Sequence, residues 1–199
     1  MKTGDVEMEW ILASASPRRR ELLEHLGIAE LHVIPAEGEE RAPAGLSPAE
    51  LVRHLAYCKA EEVAERLGAG ADRLIIAADT VVVLDGRVLG KPRDAEDAVR
   101  MLSKLSGRAH EVYTGLAVFR GNKKLQGTEC SSVHFRALDA REIEAYVATG
   151  EPLDKAGAYG IQGRASLFVT GIEGDYFNVV GLPLCRLGLM LREVDVVLL

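Results

Sequence analysis

The chain has 199 residues, 48% of them hydrophobic and 27% charged, which is ordinary for a soluble globular protein and enough for one domain of 1–199 with a sizeable core, or two small lobes sharing one sheet. A formal net charge of −6 argues against broad nucleic-acid binding, which needs a basic face, and means that an anionic ligand would need a local basic pocket. No apolar run approaches the ~20 residues of a membrane span. The acidic stretch Met1 to Glu9 has no apolar core and does not read as a signal peptide, so a cytoplasmic location is expected.

Trp10 to Ala13 reads as a short buried strand, followed by a turn of small residues, Ser14 to Ser16. Pro17 suits the first helical position, and Ser16 suits the N-cap. Arg18, Arg19 and Arg20 then occupy the first helical turn, where the macrodipole is positive and carboxylates are favoured. Such a triplet can be a solvated basic turn. At the end of a strand it can also be a phosphate site, because an anion there would collect the exposed N–H groups and the guanidinium charge together. The helix, 17–26, presents Leu22, Leu23 and Leu26 and stops at Gly27. Leu31 to Ile34 is a second short strand. The carboxylates Glu37, Glu39 and Glu40 follow it, and these form either a solvated loop or a Mg²⁺ ligand.

Ser47-Pro48-Ala49-Glu50 is a capping box that opens a helix to about Leu67. Its buried candidates include Leu51, Leu55, Cys58, Val63 and Ala64, whereas a lone helical Lys59 reads as solvent-facing. Arg73 to Asp79 is a nearly continuous apolar run, read as a central strand that ends in the carboxylate. That Asp79 is either a turn former or a paired or metal-binding group. Val81 to Leu84 and Arg87 to Leu89 flank the hairpin signal Asp85-Gly86. Gly90 and Pro92 set the backbone around Lys91, and Asp94 with Asp97 caps a helix to about Leu105.

Residues 109–119 and 123–135 alternate as two long antiparallel strands. Asp139 caps a helix through Val147, which is followed by the glycine-punctuated loop 154–163. Its G-x-x-G-x-x-G spacing is not a dinucleotide fingerprint. A last hairpin is expected from Leu167 to Val169 and Tyr176 to Val180, then a helix from Leu182-Pro183, with the apolar tail 194–199 unplaced. Cys58, Cys130 and Cys185 are far apart and read as buried reduced thiols. The whole is an α/β protein with a mixed sheet.

Six segments, in order, resemble those of the Maf nucleotide pyrophosphatases: Leu12-Ala-Ser-Ala-Ser-Pro-Arg-Arg19, Ala78-Asp79-Thr80, Gly90-Lys91-Pro92, Leu105-Ser-Gly107, Asp154-Lys-Ala-Gly-Ala-Tyr-Gly-Ile-Gln-Gly163 and Val179-Val-Gly-Leu-Pro183. The resemblance implies an elongated mixed β-sheet with flanking helices and two lobes around a cleft, a fold shared with the inosine triphosphatase type. It implies cleavage of a nucleoside triphosphate between the α and β phosphates, with a divalent cation (Mg, Mn or Co). The Tyr159-Gly-Ile-Gln162 version of the loop is similar to the subgroup acting on dTTP and UTP. A sister subgroup acting on 7-methyl-GTP departs from it, and the family has also been associated with regulation of cell division. Carried over by position, Asp79 matches the general base and a metal ligand, with Glu40 (or Glu39, a register one residue away) as the second acidic position. Ser14, Arg18, Arg19, Lys59 and Lys91 match phosphate-contacting positions, while Arg18, Thr80 and Gln162 match positions associated with base selection. Nothing in the resemblance requires nucleic acid or membrane as a partner, and it leaves a homodimer contact through the last helix and tail open.

Overall fold

The computed structural model describes residues 8–28, 30–38, 41–68 and 70–199. Glu39 and Glu40, the acidic residues expected near a metal, lie outside these.

Strands β1 (Glu9–Leu12), β2 (Leu31–Val33) and β3 (Arg73–Leu84) are joined by helices α1 (Pro17–His25) and α2 (Pro48–Leu67). There follow β4 (Arg87–Leu89), α3 (Ala95–Leu105), β5 (Ala109–Arg120), β6 (Lys123–Phe135), α4 (Ala140–Val147), three 3₁₀ turns within 151–168, β7 (Val169–Glu173), α5 (Tyr176–Val180) and α6 (Leu184–Glu193). One mixed seven-stranded sheet results, in the order β2-β1-β3-β5-β6-β7, with β4 also paired to β3. The expected α/β fold, a mixed sheet with flanking helices, is what forms. β1 pairs with β2 and β3 in parallel, and the remaining pairs are antiparallel.

Alternation along β3 assigns its two faces. Ile75 and Ala77 pack with Ile11, Ala13, Ala56, Ala60 and Val63 under α2. Leu74, Ile76, Ala78 and Val82 join the larger core cluster, which runs unbroken from Leu22 and Leu23 of α1 to Ile143 and Tyr146 of α4. α2 lies very close to the sheet because Gly115 of β5 has no Cβ: one built there would stand 2.1 Å from the Val52 carbonyl oxygen.

Several expectations are corrected. The Arg73 strand does not end at Asp79 but continues to Leu84, since the β-branched run 81–83 keeps pairing with β5. The last hairpin does not exist as expected. Val169–Glu173 pairs with β6, whereas Tyr176–Val180 is a helical turn capped by the Asp175 carboxylate, which accepts from the Phe177 N–H. The buried stripe of α2 is Val52, Leu55, Ala56, Ala60 and Val63, so Leu51, Cys58 and Ala64 lie at its margins. Ser16 occupies the N-cap position of α1, but its side chain makes no cap bond; instead its own N–H donates to Ser14 Oγ. The cysteines are free, as expected, but not buried: Cys58 is half-buried, and Cys130 and Cys185 are exposed. In the tail, Val194 and Val196 are buried in the main core, and Arg120 donates to the Val194 carbonyl. Among the described residues no helix is long and apolar enough to cross a membrane.

Candidate active site

The site begins as a gap in the sheet. One edge of β3 is paired with β5 from Leu74 to Val83. On its other edge β1 pairs only as far as Ile76, and β4 resumes at Val82. Residues 77–81 therefore have an open edge between β1 and β4, and there a cleft of about 740 Å³ forms. It is lined by the turn 13–19, by α2, by β3, by Gly90 and Lys91, by the loop 154–162 and by the end of α5. Eight side chains singled out from the sequence, those of Ser14, Arg18, Arg19, Lys59, Asp79, Thr80, Lys91 and Gln162, all line it.

Asp79 and Thr80 are neighbours in a strand and so point to opposite faces. Asp79 shares its face with Ala77 and turns toward α2, where Lys59 Nζ donates to Asp79 Oδ1 at 2.5 Å, with 17% and 11% of the two side chains exposed. Lys59 is thus not the solvent-facing lysine expected of its type. Spaced seven from Val52, three from Ala56 and four from Val63, it lies on the same face of α2 as the buried stripe, and this spacing was a signal available in the sequence. Gly115 lies opposite Asp79 in the β3–β5 register, so the close approach of α2 occurs where Lys59 must reach the carboxylate.

Thr80 points to the other face, toward Arg19. The Arg19 guanidinium donates to the Gly181 carbonyl from Nε (2.8 Å), to Ser14 Oγ from Nη1 (2.9 Å) and to Thr80 Oγ1 from Nη2 (3.0 Å). Gly181 supports this in two ways. Its φ of +117° ends α5, and a Cβ there would stand 3.3 Å from Thr80 Oγ1 and 3.6 Å from Arg19 Nε. The first turn of α1 has no acidic residue and Ser16 makes no side-chain cap bond, so the positive end of the helix, which lines the cleft, has no carboxylate from its own turn against it. Arg20 is apart from the site, exposed and paired with Glu24 at 2.7 Å.

Arg18 lines the cleft from the same turn as Arg19, and Lys91 and Gln162 reach it from two further segments. The loop carrying Gln162 is held from behind by Glu151. Its Oε1 accepts from the Tyr146 hydroxyl at 2.9 Å, its Oε2 accepts from the Arg164 N–H at 3.2 Å, and a Cβ at Gly163 would strike the same carboxylate. Gly157, at φ +68°, packs on Val82 where no Cβ would fit. Beneath the loop Tyr159 is buried, its hydroxyl 2.8 Å from His110 Nε2. Burial, aided by His134, pushes the His110 imidazole down to about 4, and burial pushes the Tyr159 phenol up.

Asp154 and Lys155, which their residue types alone did not mark, also line the cleft. Lys155 Nζ donates to the Glu151 carbonyl (2.7 Å) and to Asp154 Oδ1 (2.6 Å), while its stem lies against Gly160. The Lys155 hydrogen bond, with Arg18 a smaller influence, holds the Asp154 carboxyl below its usual range. The Asp-Lys-Ala-Gly run was visible as a motif, but nothing in it showed which side chains turn inward.

For a divalent cation the donor set is sparse. Among the described residues no three His, Cys, Asp or Glu side chains cluster, and the carboxylates lining the cleft are Asp79 and Asp154. A sparse set suits Mg²⁺, which takes one or two protein carboxylates and fills its shell with water and substrate phosphate oxygens.

The sequence pattern of a family described as Maf-like protein matches residues 9–194. The chain is similar to a dTTP/UTP pyrophosphatase of Pelotomaculum thermopropionicum, 54% identical over 187 residues, which is 93% of this chain and 96% of the relative. It is similar also to one of Moorella thermoacetica, 56% identical over 178 residues, covering 88% and 90%. Among solved structures, that of a HAM1 protein from Coxiella burnetii superposes with a TM-score of 0.52 at 16% identity, covering 94% of this chain and 99% of that one, a likeness of fold alone.

Proposed function

The chain belongs to the Maf-like family, and we propose that it hydrolyses dTTP and UTP to the monophosphate and pyrophosphate. The observation that carries this is the Asp79–Lys59 pair standing in the same cleft as the anchored Arg19, with relatives above 50% identical named for that activity. Asp79 acts as general base. Lys59 holds Oδ1, and among the described residues Oδ2 accepts no hydrogen bond, which leaves it to take the proton of a water aligned on the α-phosphorus. The water oxygen bonds to that phosphorus as the bond to the α,β-bridging oxygen breaks, and pyrophosphate leaves with the electron pair. Ser14, Arg18, Arg19, Lys59 and Lys91 contact the phosphates, and fixed cations there stabilise charge that spreads over the nonbridging oxygens. Gln162 offers both a donor and an acceptor to a pyrimidine edge, and Arg18 and Thr80 take part in base selection.

A divalent cation (Mg, Mn or Co) belongs with this reading, held by Asp79 together with Glu40 or Glu39. Bound there it would lower the pKa of water and neutralise phosphate oxygens. The partner is then a nucleoside triphosphate. Pyrophosphate release measured across canonical and modified triphosphates, with and without Mg²⁺ or Mn²⁺, tests the proposal. dTTP and UTP are expected to lead, and chelation is expected to stop turnover. Preference for 7-methyl-GTP would overturn the pyrimidine assignment. Tight nucleotide binding without pyrophosphate release would favour a regulatory binding protein, and orthophosphate release a phosphomonoesterase.

A further inference from the structure

Beneath the cleft a buried polar chain runs from Thr80, which lines it, through Thr114 to Asn178, neither of which does. The described buried polar residues are Ser14, Asp79, His110, Thr114, Ser131 and Asn178, and Thr114, Ser131 and Asn178 are at most 1% exposed. Thr114 Oγ1 is 2.9 Å from the backbone carbonyl of Asn178 and 2.9 Å from Thr80 Oγ1. A carbonyl only accepts, so Thr114 must spend its one hydroxyl proton on Asn178. It then has only lone pairs for Thr80, and Thr80 must donate to it. The proton of Thr80 is thereby turned inward and a lone pair outward, toward Arg19 Nη2. Thr80 and Thr114 face each other in the β3–β5 register, and both are β-branched with few χ1 states, so the alignment is stiff.

The far end is equally fixed. The Asn178 carbonyl is near the C-terminus of α5, where carbonyls lack helical partners. The Asn178 side chain donates to the Val112 carbonyl and to Ser131 Oγ, each at 2.9 Å. We propose that Thr114 is a positioning residue, which through Thr80 orients the Arg19 guanidinium for the substrate's phosphates. This rests on the pyrophosphatase reading of the site.

The test is calorimetric titration of the full chain, with Mg²⁺, by a UTP analogue carrying a methylene bridge between the α and β phosphorus atoms. Thr114→Val keeps the shape and removes the hydroxyl. It is expected to weaken binding about 3- to 10-fold, the size of one net hydrogen bond. Thr114→Ser, which keeps the hydroxyl, should bind within about twofold of wild type on the same scale. In an Arg19→Gln background Thr114→Val should cost nothing further, because its route to the substrate has been removed. An equal loss in both backgrounds, no loss in either, or a Thr114→Ser variant as weak as Thr114→Val would overturn the assignment. If Thr114→Val does not fold, Thr114→Ala removes the same hydroxyl without putting a methyl in its place and must show the same dependence on Arg19. Wild-type protein that fails to bind the analogue would overturn the functional reading as well, whereas normal wild-type binding with an indifferent Thr114 overturns this proposal alone.

Discussion

Replacing Asp79 by Asn separates chemistry from folding at this site. The two carboxylate oxygens become an amide of the same shape, and the remaining oxygen can still accept from Lys59 Nζ, 2.5 Å away in the native pair. At that separation the charge attraction is about 7 kcal/mol for an effective dielectric of 20. Most of it offsets the desolvation of two ions that are only 11% and 17% exposed. Lys59 stays charged and largely buried, which alone would cost about 3–5 kcal/mol, but the amide oxygen still accepts from it, so the net loss is about 1.5–3 kcal/mol. At roughly 2–4 °C per kcal/mol for a chain of this size, Tm should fall by about 3–12 °C and leave a folded protein at assay temperature. Turnover should fall much further, by about 10²–10⁴, because an amide cannot take the proton of the attacking water. The assay is pyrophosphate release from UTP and dTTP at saturating concentration, beside a thermal melt and analogue binding. A folded variant that retains more than about a hundredth of wild-type turnover would refute the role of Asp79 as base.

Gly115→Ala should damage both stability and rate. Its Cβ would stand 2.1 Å from the Val52 carbonyl oxygen, so α2 must retreat, at about 1–3 kcal/mol or more by thermal melting. Lys59 retreats with it, and a displacement on the order of 1 Å costs up to about 10²-fold in rate; unchanged kcat would contradict this coupling. Stability should also depend on His110, whose imidazole is at about 4 in the folded chain against an ordinary 6.5. The unfolded chain takes up the proton first, so the contribution is complete above pH 6.5 and is lost as pH falls toward 4, by up to about 3 kcal/mol. His110→Gln should flatten the stability profile between these values, and an unaltered slope would rule the histidine out. Gln162→Glu removes the amide donor and should shift the order of preference in a triphosphate panel while leaving pyrophosphate as the product; an unchanged order would show that Gln162 does not read the base.

Local chemistry sufficed for much of this protein. The capping boxes at Ser47 and Asp139, the Asp85-Gly86 turn and the alternation of β5 and β6 each satisfy their backbone groups with near neighbours, so their elements stand as read. The Arg triplet at a helix start, an electrostatic anomaly without an anion, marked the turn 14–19 before any partner was known. What the chain could not show by itself was which residues meet across it. Asp79 read as a strand end because a polar residue closes an apolar run. It lies mid-strand because β1 stops while β3 keeps its ladder with β5, and only that mismatch of strand lengths opens the edge where the cleft forms. The spacing of Lys59 along α2 hinted at its direction, but that it meets Asp79 required Gly115, far away in sequence, which lets the helix close on the sheet. Tyr176 to Val180 carries strand-forming residues, yet as a helical turn it presents the Asn178 carbonyl to Thr114, and the Gly181 that ends it presents its own carbonyl to Arg19. Residue types and local spacing determined the elements and named the chemistry; hydrogen bonds such as Arg19 to Gly181, 162 residues apart, exist only once packing has closed the loop between them.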